Sequence, residues 1–105
     1  MLKMMVLSLA ASALASAIAA AEHRITMAGS DYAPASIEAK VGDTLVFEND
    51  DTEAHNVFVP TVGFSTDLGK QDPGKSARLL LTKPGSFEVE CVFHQDMNMR
   101  VTVKP

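Results

Sequence analysis

The heptapeptide Cys91-Val92-Phe93-His94-Gln95-Asp96-Met97 places three possible metal ligands at intervals of three residues. They are a thiolate sulfur, an imidazole nitrogen and a thioether sulfur. One Cys with two His and a weak, long axial Met is the donor set of blue-copper electron-transfer sites. The heptapeptide contains Cys91, His94 and Met97 but lacks one imidazole, so this chemistry predicts a second His from elsewhere in the chain.

The missing imidazole is predicted to come from His55. Apart from His94, the chain contains only His23 and His55. His55 begins an alternating run in which Val57 and Val59 share its parity, so a regular strand turns the imidazole inward. His23 lies beside the predicted mature N-terminus and is not assigned as a ligand.

Both sides of the heptapeptide alternate between apolar and polar residues. This period of two predicts two strands, each with one face toward the core. The apolar positions are Phe87, Val89 and Cys91 before the loop, and Met97, Met99, Val101 and Val103 after it. Cys91 and Met97 are therefore expected to face the core at the ends of the two strands.

The rest of the chain also favours short strands separated by turns. Further strands are predicted over residues 24–28, 36–41, 44–48, 55–59 and 77–82. Residues 61–75 contain several Gly and Pro residues and predict a loop with at most one short turn or strand. No heptad or long amphipathic helix is present, so the pattern predicts an all-β sandwich or barrel.

The motif Cys-x-x-His-x-x-Met near the C-terminus, with His-Asn-Val upstream, resembles the cupredoxins. The short loop is most similar to the amicyanin-like branch, and the resemblance covers residues 24 to 104. It implies a Greek-key β-sandwich that holds one copper ion at one end, cycling between Cu(I) and Cu(II). The implied ligands are His55, Cys91, His94 and Met97.

The resemblance also implies roles for residues around these ligands. Asn56 is expected to join the two ligand-bearing segments and to donate its backbone N–H to the Cys91 sulfur. Phe93 stands where amicyanin-like loops usually carry Pro, so its N–H is a predicted second donor to that sulfur. His94 is the implied exposed electron gateway within an apolar patch formed by Val92 and Phe93. Protein redox partners are expected to dock there.

The N-terminus has the features of a secretory signal peptide over residues 1–21. A short basic start is followed by an apolar stretch from Met4 to Ala20, and Ala19-Ala20-Ala21 fits the small-residue cleavage rule. Cleavage after Ala20 or Ala21 leaves a cupredoxin domain over residues 22–105. This predicts a periplasmic protein, or an extracellular one in a cell without a periplasm, with no stable membrane anchor.

Composition limits the classes of function. The mature chain of 84 residues carries 8 basic and 13 acidic residues, and this acidic balance without a basic patch argues against nucleic-acid binding. The chain is long enough for one small domain, expected to be monomeric. The acidic residues 50, 51 and 53 either steer a basic partner or form a solvated turn. In an oxidising compartment a single Cys is a liability unless metal binding protects it.

The predicted function is that of a secreted type 1 blue-copper electron carrier. The alternative is a periplasmic copper-binding protein for storage, delivery or resistance, which the absence of a Met-rich run in the mature chain disfavours. An enzyme is not expected, because the protein occupies all four ligand positions and leaves none for a substrate. Zinc accepts the same nitrogen and sulfur donors in vitro.

Overall fold

The computed structural model describes residues 19–105, so most of the predicted signal peptide lies outside the described residues. Within residues 19–105 every regular element is a strand, and no helix there is long and apolar enough to cross a membrane. The nine strands are β1 (Glu22–Ala28), β2 (Asp31–Ala33), β3 (Ser36–Lys40), β4 (Thr44–Asn49), β5 (His55–Val59), β6 (Thr66–Gln71), β7 (Ser76–Leu80), β8 (Gly85–Cys91) and β9 (His94–Lys104).

The strands form two sheets that pack face to face. One sheet has four strands in the order β2-β1-β4-β7, and the other has five in the order β3-β9-β8-β5-β6. Strands distant in sequence pair in parallel, β1 with β4 and β3 with β9. The predicted Greek-key β-sandwich is therefore confirmed.

The core lies between the two sheets and comes from the alternating positions. Residues of one parity face inward because successive side chains on a strand point to opposite faces. The fully buried apolar side chains are Ile25, Met27, Leu45, Phe47, Val57, Val59, Val89 and Val101, with Met97 and Met99 1% exposed. The predicted inward face of β8 and β9 is confirmed.

Two differences from the predicted strands lie next to the candidate ligands: an additional strand and an earlier start of the last strand. Residues Gly29 and Ser30 both have positive φ, at 58° and 57°, and reverse the chain tightly enough for Asp31–Ala33 to pair antiparallel with β1. A short strand therefore lies where only a break was predicted. Strand β9 already begins at His94, so the turn between β8 and β9 is only Val92 and Phe93.

The strand directions bring the predicted ligands to one end of the sandwich, here called the site end. It is formed by the connections 29–30, 50–54, 72–75 and 92–93. His55 begins β5 after one of these connections, Cys91 ends β8, and His94 begins β9. His23 lies near the start of β1, beside Leu45 at the start of β4, and therefore at the opposite end.

Candidate metal centre

The ring of His55 is fully buried at the start of β5, as its parity predicted. Its Nε2 atom lies 2.8 Å from Asp51 Oδ2. Its Nδ1 atom is the one buried side-chain nitrogen or oxygen in residues 19–105 that has no hydrogen-bond partner. A buried polar atom without a partner is unfavourable by about 1–3 kcal/mol, so a group bound at this nitrogen would remove that cost.

Asp51 determines which nitrogen of His55 is free. The hydrogen bond from His55, followed by the backbone N–H groups of Ser30 and Thr52, lowers the pKa of Asp51 to about 2. At neutral pH Asp51 is therefore a carboxylate, which can only accept hydrogen bonds. The His55 proton then lies on Nε2, and the lone pair of Nδ1 is available to a metal, as in the carboxylate–histidine–metal arrangement.

Cys91 is a buried free thiol at the end of β8, with 4% of its surface exposed. Its Sγ atom accepts the backbone N–H of Asn56 at 3.3 Å, which confirms the predicted bond. The side chain of Asn56 accepts the Val92 N–H through Oδ1 at 3.4 Å and so joins the His55 and Cys91 segments. A thiolate that accepts a hydrogen bond while shielded from solvent is suited to metal binding.

The predicted second hydrogen bond to the sulfur is wrong. Among residues 19–105, Asn56 alone donates to Cys91 Sγ, and Phe93 makes no such bond. The loop amide that is engaged belongs to Val92. The direction of each peptide N–H in a two-residue turn depends on the turn's backbone angles, which the spacing of the ligands does not fix.

His94 begins β9 next to Cys91, and its side chain is 28% exposed. Its ring centroid lies 5.0 Å from that of His55, with the planes inclined by 55°. The Nε2 atom lies 3.4 Å from the carboxylate of Glu53. Val92 and Phe93 beside it are 64% and 52% exposed, which confirms that an apolar patch adjoins His94.

Met97 and Met99 both face the core from β9, each 1% exposed. Met99 is paired with Val89 in the ladder, two residues before Cys91, whereas Met97 lies one strand repeat nearer to the turn. The regular β8–β9 pairing ends at Asn98 with Glu90, so Met97 lies in the irregular segment next to the turn, while Met99 lies within the regular ladder, one repeat of about 6–7 Å further away. Met97 is thus the better placed of the two.

The donors fit a metal ion, although residues 19–105 contain no group of three or more His, Cys, Asp and Glu side chains drawn together as a metal cluster. A metal–nitrogen distance of about 2.0 Å places the centroids of two imidazoles on one ion about 5 Å apart. The 5.0 Å separation of His55 and His94 matches this value. Together with the unpartnered His55 Nδ1, this separation favours a metal ion between the two imidazoles, with Cys91 and Met97 as sulfur donors.

Asn49 and Tyr32 are contributors that the motif did not predict. The Asn49 side chain donates to the backbone oxygens of Glu53 and Gln71 at 2.8 and 2.9 Å and accepts the Asp51 N–H at 2.9 Å. It thereby shapes the loop that presents Asp51 to His55. Asn49 ends an apolar strand immediately before an acidic run. An amide at the end of a buried strand was the sequence feature that could have indicated its role.

Comparisons with known proteins agree with this arrangement. The family model of the cupredoxin-like domain matches residues 1–103. The methylamine utilization protein MauL of Methylophilus methylotrophus is 29% identical over 75 residues, which cover 69% of this chain and 43% of MauL. The chain thus spans less than half the length of that curated relative.

Two solved structures are similar in fold and sequence. The copper-containing nitrite reductase NirK from Thermus scotoductus SA-01 matches with a TM-score of 0.73 and 26% identity, over 78% of this chain and 22% of the reductase. An amicyanin variant with a proline-to-phenylalanine substitution, in its reduced state, matches with a TM-score of 0.70 and 26% identity, over 77% of this chain and 80% of amicyanin.

Proposed function

This chain belongs to the cupredoxin-like domain family, and from that premise we propose that it carries single electrons between protein redox partners through one bound copper ion. The ligands in this proposal are His55, Cys91, His94 and Met97. The observation that carries it is the buried, unpartnered Nδ1 of His55 beside the ring of His94. A buried imidazole nitrogen whose lone pair no protein group engages is available to bind a metal.

Bound copper supplies the exchange of one electron between Cu(I) and Cu(II). The chain's own residues fix the donors in place. Asn56 donates its N–H to Cys91 Sγ, which stabilises negative charge on the sulfur. Asp51 holds the His55 ring through Nε2. Because these contacts come from strands and short connections, little backbone movement is expected when the charge of the site changes.

The route for electrons in this proposal is through the edge of His94. Its partly exposed ring is adjacent to the exposed apolar side chains of Val92 and Phe93. Such a patch fits the apolar centre of a transient protein interface. Glu53, which lies 3.4 Å from His94, and Asp50 in the same connection are both exposed, and their negative charge favours a partner with a basic rim.

We also propose that the chain is secreted after cleavage following Ala20 or Ala21, and that it acts in the periplasm as a monomeric domain over residues 22–105. Mass measurement of the protein purified from the periplasm tests the processing site directly. A protein of full-length mass in the membrane fraction would contradict it.

The test of the electron-transfer proposal is the visible spectrum after copper(II) is added to the purified mature protein. An intense band toward the red end, absent from Cys91→Ser, is expected from a thiolate bound to copper. The band should disappear on reduction and return on oxidation, with fast exchange between the two forms. A protein that binds copper without this band does not have the proposed site.

The alternative function, copper storage or delivery, is separated by the rate of copper loss. A carrier of electrons should keep its copper when challenged with a chelator, because the thiolate and the buried imidazole are held by the fold. Rapid and complete loss, together with slow electron exchange, would favour delivery. The proposed function is not enzymatic, since protein donors occupy every position around the ion.

A further inference from the structure

Tyr32 extends from one sheet to the other at the site end. It lies in the middle of β2, is 3% exposed, and its ring packs edge-on against Phe47 with centroids 6.0 Å apart. Its hydroxyl lies 2.5 Å from the backbone oxygen of Asn56 and 3.0 Å from that of Glu90. These two residues directly follow His55 and directly precede Cys91.

The sheet itself does not hold these two carbonyl groups in the usual way. The ladder between β5 and β8 contains a single pair, Phe58 with Glu90. The β5–β6 register shifts between Asn56 and Phe58, and the β8–β9 register shifts between Glu90 and Cys91. The regular hydrogen bonding of the five-stranded sheet is thus interrupted on both segments that carry predicted ligands, and a side chain from the opposite sheet binds there.

The chemistry of the hydroxyl suits a structural contact. It has one proton to donate, and the two distances indicate a donor shared unequally between two acceptors, with Asn56 preferred. Burial, together with the negative charges of Cys91 and Glu90, raises the pKa of Tyr32, so the hydroxyl keeps this proton. Its partners are amide oxygens, which are too weak as bases to take the proton during an oxidation.

We propose that Tyr32 is a positioning residue of the metal centre, whose hydroxyl fixes the segment carrying His55 relative to the segment carrying Cys91. The inference rests on the proposed function for its copper-dependent consequences. Asn56 is held at both ends, because its carbonyl accepts from Tyr32 and its N–H donates to Cys91 Sγ. Loss of the hydroxyl should loosen Asn56 and weaken its hydrogen bond to the sulfur.

The test compares Tyr32→Phe with Thr61→Val in the full mature protein. Tyr32→Phe keeps the ring and its contact with Phe47 but removes the hydroxyl. Thr61 Oγ1 accepts the N–H of Glu88 at 3.0 Å, so Thr61→Val removes a hydroxyl contact to the same strand, β8, from the opposite end of the sandwich. Each variant loses one hydroxyl group that contacts the five-stranded sheet, but only Tyr32→Phe loses it beside the predicted ligands.

For the copper-loaded protein we expect a shifted thiolate band, a lower potential and copper loss to a chelator about 10-fold faster in Tyr32→Phe, the scale seen when outer contacts of a metal site are removed. The potential falls because a sulfur with a weaker hydrogen bond donates more strongly and favours the oxidised metal. Thr61→Val should match the wild type in all three measurements. Wild-type values in Tyr32→Phe would overturn the inference.

A second variant keeps the test valid if Tyr32→Phe folds poorly. Tyr32 is the only tyrosine in the chain, so biosynthetic 3-fluorotyrosine changes this residue alone. Fluorine makes the hydroxyl a stronger donor, and the potential should shift in the direction opposite to that of Tyr32→Phe. A shift in the same direction, or none, would contradict the proposed contact.

Metal-free protein separates failure of this inference from failure of the proposed function. The two variants are compared under conditions in which their global stabilities are equal. Amide hydrogen exchange at Asn56 should then be at least about 10-fold faster in Tyr32→Phe than in Thr61→Val, a change expected when a local contact limits opening. Equal exchange rates would overturn the positioning role without any copper measurement. If the copper-treated wild-type protein lacks the thiolate band, while the two metal-free variants differ in exchange as expected, only the proposed function is overturned.

Discussion

Asp51→Asn changes one atom of the carboxylate behind His55. Asp51 Oδ2 lies 2.8 Å from His55 Nε2 and 3.1 Å from Ser30 N, and Oδ1 accepts the Thr52 N–H at 2.8 Å. An asparagine amide accepts at one end only and donates at the other. If the amide oxygen faces His55, the amide NH₂ group faces one other donor, the Thr52 N–H. If the NH₂ group faces His55, it meets two donors, the His55 Nε2–H and the Ser30 N–H.

The orientation with one opposed donor is favoured, and it leaves His55 with its proton on Nε2. The acceptor has lost its charge, and a charge-assisted hydrogen bond is about twice as strong as a neutral one. Removing an outer partner of a metal-binding His weakens metal affinity about 10- to 100-fold. We therefore expect about 10-fold weaker copper binding for Asp51→Asn and about 100-fold for Asp51→Ala, which removes every acceptor.

Competition with a copper(I) chelator measures these affinities, and the thiolate band reports whether the site survives. Glu53→Gln is the matched control, because Glu53 lies in the same loop and undergoes the same change of carboxylate to amide. Its contact with His94, at 3.4 Å, involves a side chain that is 62% exposed. An exposed pair should alter affinity by less than about fivefold. Wild-type affinity in Asp51→Ala, or an equal loss in Glu53→Gln, would refute the reasoning.

The remaining predictions concern the second imidazole, the thioether and stability in acid. His55→Ala should abolish the blue band, whereas His23→Ala should leave it intact; the reverse result would exchange their roles. Met97→Leu should keep copper and colour but raise the potential, while Met99→Leu should leave the spectrum unchanged and reduce stability by less than about 1.5 kcal/mol. The hydrogen bond from His23 is the main cause that lowers the pKa of Asp43 from 3.8 to about 2. The stabilisation from the Asp43 carboxylate is therefore complete above the pKa that the group has in the unfolded chain, and it is lost as the pH falls toward 2. Urea midpoints should therefore decline less steeply between these pH values in Asp43→Asn, and an identical slope would contradict this.

Features that depend on local alternation could be predicted from the sequence. The inward direction of His55, Cys91 and Met97 follows from the parity of their apolar neighbours, since side-chain direction repeats every two residues in a strand. The burial of all three agrees with that parity. The spacing of Cys91, His94 and Met97 also required a tight turn, although the turn is even shorter than the spacing alone indicates.

Features that depend on long-range contacts could not be predicted. Residue 51 was expected to be a steering or solvated charge, yet it contacts His55 because Asn49 bonds to the backbone of Glu53 and Gln71 and folds the loop back. The strand that carries Tyr32 was read as a break, because its pairing depends on the positive φ angles of the two preceding residues. Neither contact leaves a periodic signal in the sequence.

The molecule contains two carboxylate–imidazole pairs of equal length, and their comparison shows what makes one of them suitable for a metal. His23 Nε2 lies 2.8 Å from Asp43, and His55 Nε2 lies 2.8 Å from Asp51. The side chain of His23 is 29% exposed, whereas that of His55 is fully buried. Only His55 keeps a buried nitrogen without a partner among residues 19–105, and it does so beside the ring of His94. The pair alone therefore does not distinguish a metal ligand; the burial of the second nitrogen and its place beside His94 do, which is why His55 and not His23 is proposed as a ligand.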